Sequence, residues 1–263
     1  MNNIHKTAII EEGAKLGDNI TIGAYTIIGK NVTIGDGTII DSHTLIDGKT
    51  SIGKNNHIFS HASIGTIPQD LKYSGEDVEL IIGDNNKIRE FTLFNPGTEG
   101  GGSKTIIGSN NLFMGYVHVA HDCIVGNNCI FANCATLAGH VEIEDFVVIG
   151  GMTPIHQFCK IGTSVMVAGG SVITQDIPPF CLAEGNRAKV KGLNLTGLRR
   201  RFNNKEDINE LKKAYKFLFR NNESLKDLAT ELLKETSNEN VKNMCDFVLE
   251  TTRGIPFDRK AGE

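Results

Sequence analysis

From Ile4 to Ile64 every sixth residue is isoleucine or leucine, eleven positions without an interruption. The period lapses over Thr66–Leu80 and returns at Ile82, Ile88 and Phe94. It lapses again through Asn95–Thr105, then runs over twelve apolar positions from Ile107 to Ile173. Six is neither the 3.6 of a helix nor the 2 of a long strand. It fits a short strand and a tight turn, repeated, and such units are stable only when stacked so that each buries its apolar corner against the next. Glycine often follows the apolar position, as at Gly17, Gly23, Gly29, Gly35 and Gly53. It reads as a corner that needs backbone freedom. Three such units make a coil of 18 residues, so residues 1–178 are expected to form a mainly β domain, a parallel β-helix. The two lapses are insertions that leave the coil, and loops on an economical repeat usually carry function.

After Asp176-Ile177-Pro178-Pro179 the pattern changes. Glu206–Arg220 places Ile208, Leu211, Tyr215, Leu218 and Phe219 at helical spacing. Ser224–Lys234 does the same, with Ser224 and Asp227 suited to an N-terminal cap. Asn240–Thr252 is a third helical stretch. Residues 179–263 therefore read as a helical C-terminal domain joined by a basic segment. Between Gly185 and Lys205 lie seven basic residues (Arg187, Lys189, Lys191, Arg199, Arg200, Arg201 and Lys205) and no acid. This run reads either as a solvated face or as a seat for phosphate or an acidic carrier protein.

Composition narrows the function classes. The formal net charge of −4 gives no reason to expect nucleic acid or an anionic membrane. No apolar run approaches the roughly 20 residues that span a bilayer, so no integral membrane segment is expected. The N-terminus has no secretory h-region. The six cysteines show no metal or disulfide spacing. A cytoplasmic protein with reduced thiols is the expectation.

Stacking by 18 sorts the histidines of Val117–Val141. His121, Gly139 and Gln157 share one column, Asp122, His140 and Phe158 the next, and Ala120, Ala138 and His156 the one before. His121, Asp122, His140 and Gln157, with His156 beside them, should converge on one edge. Gly139 leaves its backbone N–H accessible next to a base. That pairing suits acyl transfer: the imidazole takes the nucleophile's proton and the N–H stabilises the oxyanion. The rival chemistry is a zinc site on His118, His121 and His140, as in gamma-type carbonic anhydrases. It leaves the basic segment and Gln157 without a role, and no metal is expected.

The stretches IPQDLKYSGE (67–76), AHDC (120–123), NCATLAGHVEIEDF (133–146), IGGMTPIHQF (149–158), DIPPF (176–180), EGNRA (184–188) and GLRRRF (197–202) carry a resemblance over essentially the whole chain. It is to the UDP-N-acetylglucosamine O-acyltransferases of lipid A biosynthesis, within the hexapeptide-repeat transferases. The resemblance implies a left-handed β-helix, against the right-handed habit of parallel crossovers. It also implies a homotrimer with sites between subunits. The reaction implied moves a 3-hydroxyacyl chain from acyl carrier protein to the 3-hydroxyl of UDP-N-acetylglucosamine. No cofactor is implied beyond the phosphopantetheine that carries the acyl donor.

Carried over by motif, His121 is the general base, Asp122 holds its ring, and Gly139 supplies the oxyanion donor. Asp70, Lys72, His118, His140, His156 and Gln157 line the nucleotide-sugar and acyl pocket. Asn194 meets the nucleoside, Arg200 and Arg201 meet the diphosphate or the phosphopantetheine, and Gly169 limits acyl length. Three positions depart from the common pattern: Asn95-Pro96 stands where His-Arg is usual, Thr196 where Glu is usual, and Arg187 where His is frequent. The first leaves a second acceptor open, the 3-amino analogue of the sugar nucleotide, which would give an amide. Arg187 and Gly169 leave the chain length open.

Overall fold

The structure, a computed structural model, describes residues 1–258. Short strands, most of two residues, form three sheets of eleven, eight and eight strands, parallel except for the last strand of the first. The first sheet runs from Asn3–Ile4, the second from Ile9–Ile10 and the third from Lys15–Leu16, and the chain visits them in rotation. Pairing advances by 18: Thr21 lies against Ile39, and Ile130 against Val148. At the insertions the offset grows while the register holds, Ser63 pairing with Leu93 and Leu93 with His118. The result is a three-sided left-handed parallel β-helix.

In most strands the first residue faces out and the second faces in, as at Ile27–Ile28 and Ile39–Ile40. The inward residues are the six-spaced apolar ones, and they stack into one continuous core. Phe113 and Phe131 lie parallel inside it with ring centroids 4.8 Å apart, and Phe94 meets Phe113 edge-on at 4.9 Å. Buried polar groups are paired along the same columns. The Asn86 backbone and side-chain amides both donate to Asn56 Oδ1, at 2.8 and 3.0 Å. The Asn111 N–H in turn donates to Asn86 Oδ1 at 2.9 Å.

The glycines do a different job from the one expected of them. The left-handed conformation falls three residues after the apolar position and is mostly taken by other residues, among them Asn19, Tyr25, His43, Asn55, Asp122 and His140. Gly17, Gly23, Gly29, Gly35 and Gly53 are needed for close approach instead. A Cβ on Gly23 would lie 2.5 Å from the Ser42 nitrogen, and one on Gly35 2.7 Å from the Gly53 carbonyl carbon. Stacked backbones leave no room for a side chain there.

The helix-forming part begins later than position 179. Cys181–Glu184 adds to the first sheet beside Met166–Val167, and Lys189–Leu193 pairs with it antiparallel. Ala183 and Val190 are buried in the β-helix core, so this hairpin closes the open end of the stack. Among the described residues four helices follow: α1 (Leu195–Arg201), α2 (Lys205–Phe219), α3 (Leu225–Glu235) and α4 (Glu239–Glu250). Helix α1 lies inside the basic segment, which offered no apolar periodicity to betray it. Ser224 precedes α3, but its side chain makes no capping bond. The helices pack around Leu211, Leu218, Leu228, Met244 and Val248. Asp176 ties them back to the last coil by accepting from the Thr251 hydroxyl at 2.6 Å. No helix among the described residues is long and apolar enough to cross a membrane.

Candidate active site

Both insertions leave from the corner between the second and third sheets, the same corner that carries His121 and Asp122. The chain turns there from His118–Val119 to Ile124–Val125, and Asp122 takes a left-handed conformation with φ of 61°. One coil on, His140 occupies the equivalent position with φ of 60°, and Phe158 the next with φ of 63°. The coil repeat therefore presents a column of side chains at one edge. The His121 and His140 rings meet edge to face at 5.2 Å, and His140 stacks on Phe158 at 4.4 Å.

His121 Nδ1 lies 2.7 Å from Asp122 Oδ2. The Asp122 side chain is fully buried, whereas the His121 side chain keeps 15 % of its surface exposed. A carboxylate only accepts, so Nδ1 carries the proton and Nε2 keeps its lone pair. The carboxylate is satisfied elsewhere too. Oδ1 accepts from the Thr98 N–H at 2.8 Å, and Oδ2 from the Thr98 hydroxyl at 2.6 Å. The backbone N–H of Asp122 donates to Thr105 Oγ1 at 2.8 Å. Four hydrogen bonds thus fix one residue, and through it the tautomer and plane of the imidazole.

Gly139 packs directly on that ring. A Cβ there would lie 2.5 Å from His121 Cε1 and 2.7 Å from Nε2, so only glycine fits. The Gly139 carbonyl accepts from Phe158 N–H, while its own N–H has no acceptor among the described residues. A proton acceptor and an unpaired backbone donor therefore stand side by side. Together they suit abstraction of a hydroxyl proton and stabilisation of an oxyanion.

The first insertion covers this edge. Asp70, Lys72, Tyr73, Glu76, Thr98, Glu99, Gly100, His140 and Phe158 line a cleft of about 410 Å³. Asp70 Oδ1 accepts from the Lys72 N–H at 2.9 Å, which holds the turn. The two insertions are linked through Asn95, whose Nδ2 donates to the Thr66 and Ile67 carbonyls at 3.0 Å each. Asn95 Oδ1 is buried without a partner. Burial lowers the pKa of His140, with the Asp122 and Asp70 charges opposing and His121 adding to the effect. Burial also lowers that of His118, whose Nδ1–H donates to the Leu93 carbonyl at 3.1 Å.

Not every residue singled out in the sequence joins the centre. His156 and Gln157 are exposed one coil on, with His156 Nδ1 at 3.1 Å from the Gln157 carbonyl. The three-histidine metal arrangement is not assembled. Among the described residues, the side chains whose potential ligand atoms approach within 4.8 Å of one another are His121, Asp122 and His140, and His118 is not among them. Asn194 caps α1, accepting from Gly197 N–H at 3.0 Å and donating to the Ser164 carbonyl at 3.0 Å. Arg201 lies over the Phe146 ring at 3.8 Å and bonds Ser164 Oγ, while Arg200 is exposed on α1. Phe146 and Ser164 mark the corner between the third and first sheets. Gly169 is exposed near the remaining corner, where a Cβ would stand 3.3 Å from the Gly151 carbonyl oxygen. Within one chain, the three groups occupy three different corners of the prism.

Sequence reasoning assigned no role to Thr98, Tyr73, Glu76, Glu99 or Phe158. Phe158 was legible as the third member of the Asp122–His140 column. The others sit on insertions, which have no period to stack by.

The chain is similar to known proteins over nearly its whole length. Residues 176–256 match the family described as UDP N-acetylglucosamine O-acyltransferase, domain 2. Residues 13–48 and 104–139 match the bacterial transferase hexapeptide family. The acyl-(acyl-carrier-protein)–UDP-N-acetylglucosamine O-acyltransferase of Aliarcobacter butzleri is 78 % identical over 260 residues, covering 99 % of this chain and all of that one. The protein of the same name from Helicobacter pylori is 53 % identical, covering 98 % and 95 % of the two chains. The solved UDP-N-acetylglucosamine acyltransferase from Campylobacter jejuni superposes with a TM-score of 0.94 at 51 % identity, over 98 % of this chain and all of that one.

Proposed function

The chain belongs to the UDP-N-acetylglucosamine O-acyltransferase family, and from that membership we propose how its corner site works. It transfers an acyl chain, a 3-hydroxyacyl group, from acyl carrier protein to the sugar 3-hydroxyl of UDP-N-acetylglucosamine. This is the first step of lipid A biosynthesis. His121 Nε2 takes the proton of the acceptor hydroxyl as its oxygen attacks the thioester carbonyl. Gly139 N–H stabilises the resulting oxyanion. Collapse of the tetrahedral species breaks the C–S bond, and the imidazolium returns the proton to the departing thiolate. Asp122 orients the ring and stabilises the imidazolium without taking the proton. No cofactor is needed beyond the phosphopantetheine that bears the thioester, because the leaving group is already activated. The observation that carries this reading is the 2.7 Å His121–Asp122 bond beside the unpaired Gly139 N–H.

The working unit is a homotrimer. Asn194 and Arg201 by the Ser164 corner, Gly169 on a second and His121 on a third are joined only if prisms lie side by side. In such an arrangement Asp70, Lys72, His118, His140, His156 and Gln157 bind the sugar nucleotide and the first carbons of the chain. Asn194, Arg200 and Arg201 meet the nucleoside, diphosphate or phosphopantetheine, and Gly169 lies where the acyl tail ends. A carrier-linked donor, a nucleotide-sugar acceptor and six free thiols suit the cytoplasm. The test is turnover of purified protein with 3-hydroxyacyl carrier protein and UDP-N-acetylglucosamine, with the product's mass and alkali lability recorded. An alkali-labile monoacyl product supports the reading. Transfer only to the 3-amino analogue, as an alkali-stable amide, overturns the hydroxyl as acceptor.

A further inference from the structure

The second insertion makes contacts that neither the repeat nor the family resemblance predicts. Its backbone is built around Asp122. The Thr98 carbonyl accepts from the N–H groups of Gly101 and Ser103 at 3.0 and 2.8 Å, closing a short 3₁₀ turn over Glu99–Gly101. This turn is seated on the coil by Gly97 N–H, which donates to the Glu79 carbonyl at 3.2 Å, and by Glu79 N–H, which donates to the Ser103 carbonyl at 2.9 Å. Closed in this way, the turn directs both donors of Thr98 at the two oxygens of one carboxylate. It also presses down on that carboxylate, for a Cβ on Gly101 would stand 2.0 Å from Asp122 Cγ. Thr98 is itself buried, so water does not compete for the two bonds.

We infer that Thr98 is a positioning residue for acyl transfer, holding Asp122 through a two-pronged grip and thereby setting the plane of the His121 imidazole. Its single bond to His121 leaves Asp122 free to turn about χ2, and terminal sp³–sp² torsions are broad. Bonds to both oxygens remove that freedom. A buried carboxylate also needs hydrogen-bond donors in place of water, and Thr98 provides two of them. Thr98 makes no covalent contribution; it acts through Asp122. The inference rests on the reading of His121 as the base.

Thr98→Val keeps the shape and the backbone N–H while removing the hydroxyl donor, and Thr98→Ser restores the donor without the methyl. Steady-state transfer should show kcat for Thr98→Val reduced between about 10- and 100-fold, the range expected when a reacting group is misplaced by a fraction of an ångström to one ångström. KM for the sugar nucleotide should stay within about twofold, a uniform-binding effect being absent. Thr98→Ser should recover most of the loss. In an Asp122→Asn background, Thr98→Val should add little, because both changes act on one unit. Melting curves check folding. If Thr98→Val does not fold, Gly101→Ala provides a second probe, predicted to lower kcat by pushing the Asp122 carboxylate off its place. Wild-type kcat in Thr98→Val, a change confined to KM, or full multiplication with Asp122→Asn overturns the positioning role. His121→Ala separates the two claims: wild-type rates there overturn the base itself, whereas an inactive His121→Ala beside a fully active Thr98→Val overturns only the grip.

Discussion

Gly139→Ala is the smallest change that reaches the chemistry. The added Cβ would lie 2.5 Å from His121 Cε1 and 2.7 Å from Nε2. Carbon atoms in contact settle near about 3.5–4.0 Å, so the ring must withdraw by roughly 1 Å. Gly139 does not occupy the left-handed region, so alanine meets no backbone penalty and the β-helix should stay folded. The ring cannot withdraw by 1 Å and keep a 2.7 Å bond to Asp122, because hydrogen bonds fail beyond about 3.5 Å. Base and oxyanion donor also part company. A displacement of this size costs about 100-fold in rate, or about 2.7 kcal/mol of transition-state stabilisation. The assay is kcat for acyl transfer at saturating donor and acceptor, with a melting curve to establish that the fold survives. A folded Gly139→Ala enzyme with wild-type kcat refutes the pairing of His121 with the Gly139 amide.

Other consequences can be checked separately. Asp122→Asn should lower kcat by about 10³- to 10⁴-fold, because the amide no longer fixes the Nδ1–H tautomer; a loss under tenfold contradicts the orienting role. Gly23→Ala, whose Cβ would meet Ser42 and Asp41 backbone within 2.8 Å, should destabilise the β-helix by about 1–3 kcal/mol in thermal melts, while Gly192→Ala, with open space around it, should be neutral. Burial lowers the pKa of His118 below the ordinary 6.5, so the unfolded chain binds more protons there and stability falls as pH drops below about 6.5. His118→Gln should flatten that slope in melts recorded from pH 7.5 to 5, and an unchanged slope removes His118 as its source. Gly169→Met adds a side chain at an exposed corner, its Cβ 3.3 Å from the Gly151 carbonyl oxygen, and should shift donor preference toward shorter acyl chains, with a melting curve to check folding and an unchanged preference in a folded variant counting against Gly169 as the end stop.

The β-helix was readable because its determinant is translational. A sixfold period closed three to the coil fixes the pairing, and Ile130 against Val148 follows from arithmetic. The same arithmetic brought His121 beside Gly139 and Asp122 below His140. It failed where the period lapses. Thr98 lies on an insertion whose path is set by its own turn and by Gly101, so nothing in the spacing could seat it on Asp122. The corner glycines were legible as special but for the wrong reason, since sequence does not distinguish a positive φ from a backbone pressed against the next coil. Asn194 and Arg201 were picked out by resemblance. Their anchoring to Ser164, on a corner other than that of His121, needed the folded chain.

The central claim is that one histidine, held by Asp122 beside the Gly139 amide, removes the acceptor's proton. Single-turnover transfer from 3-hydroxyacyl carrier protein to UDP-N-acetylglucosamine by His121→Ala tests it most directly. The geometry predicts a folded protein that binds the sugar nucleotide normally and transfers about 10²- to 10⁴-fold more slowly, the contribution of a positioned general base. Transfer at the wild-type rate by that variant contradicts it.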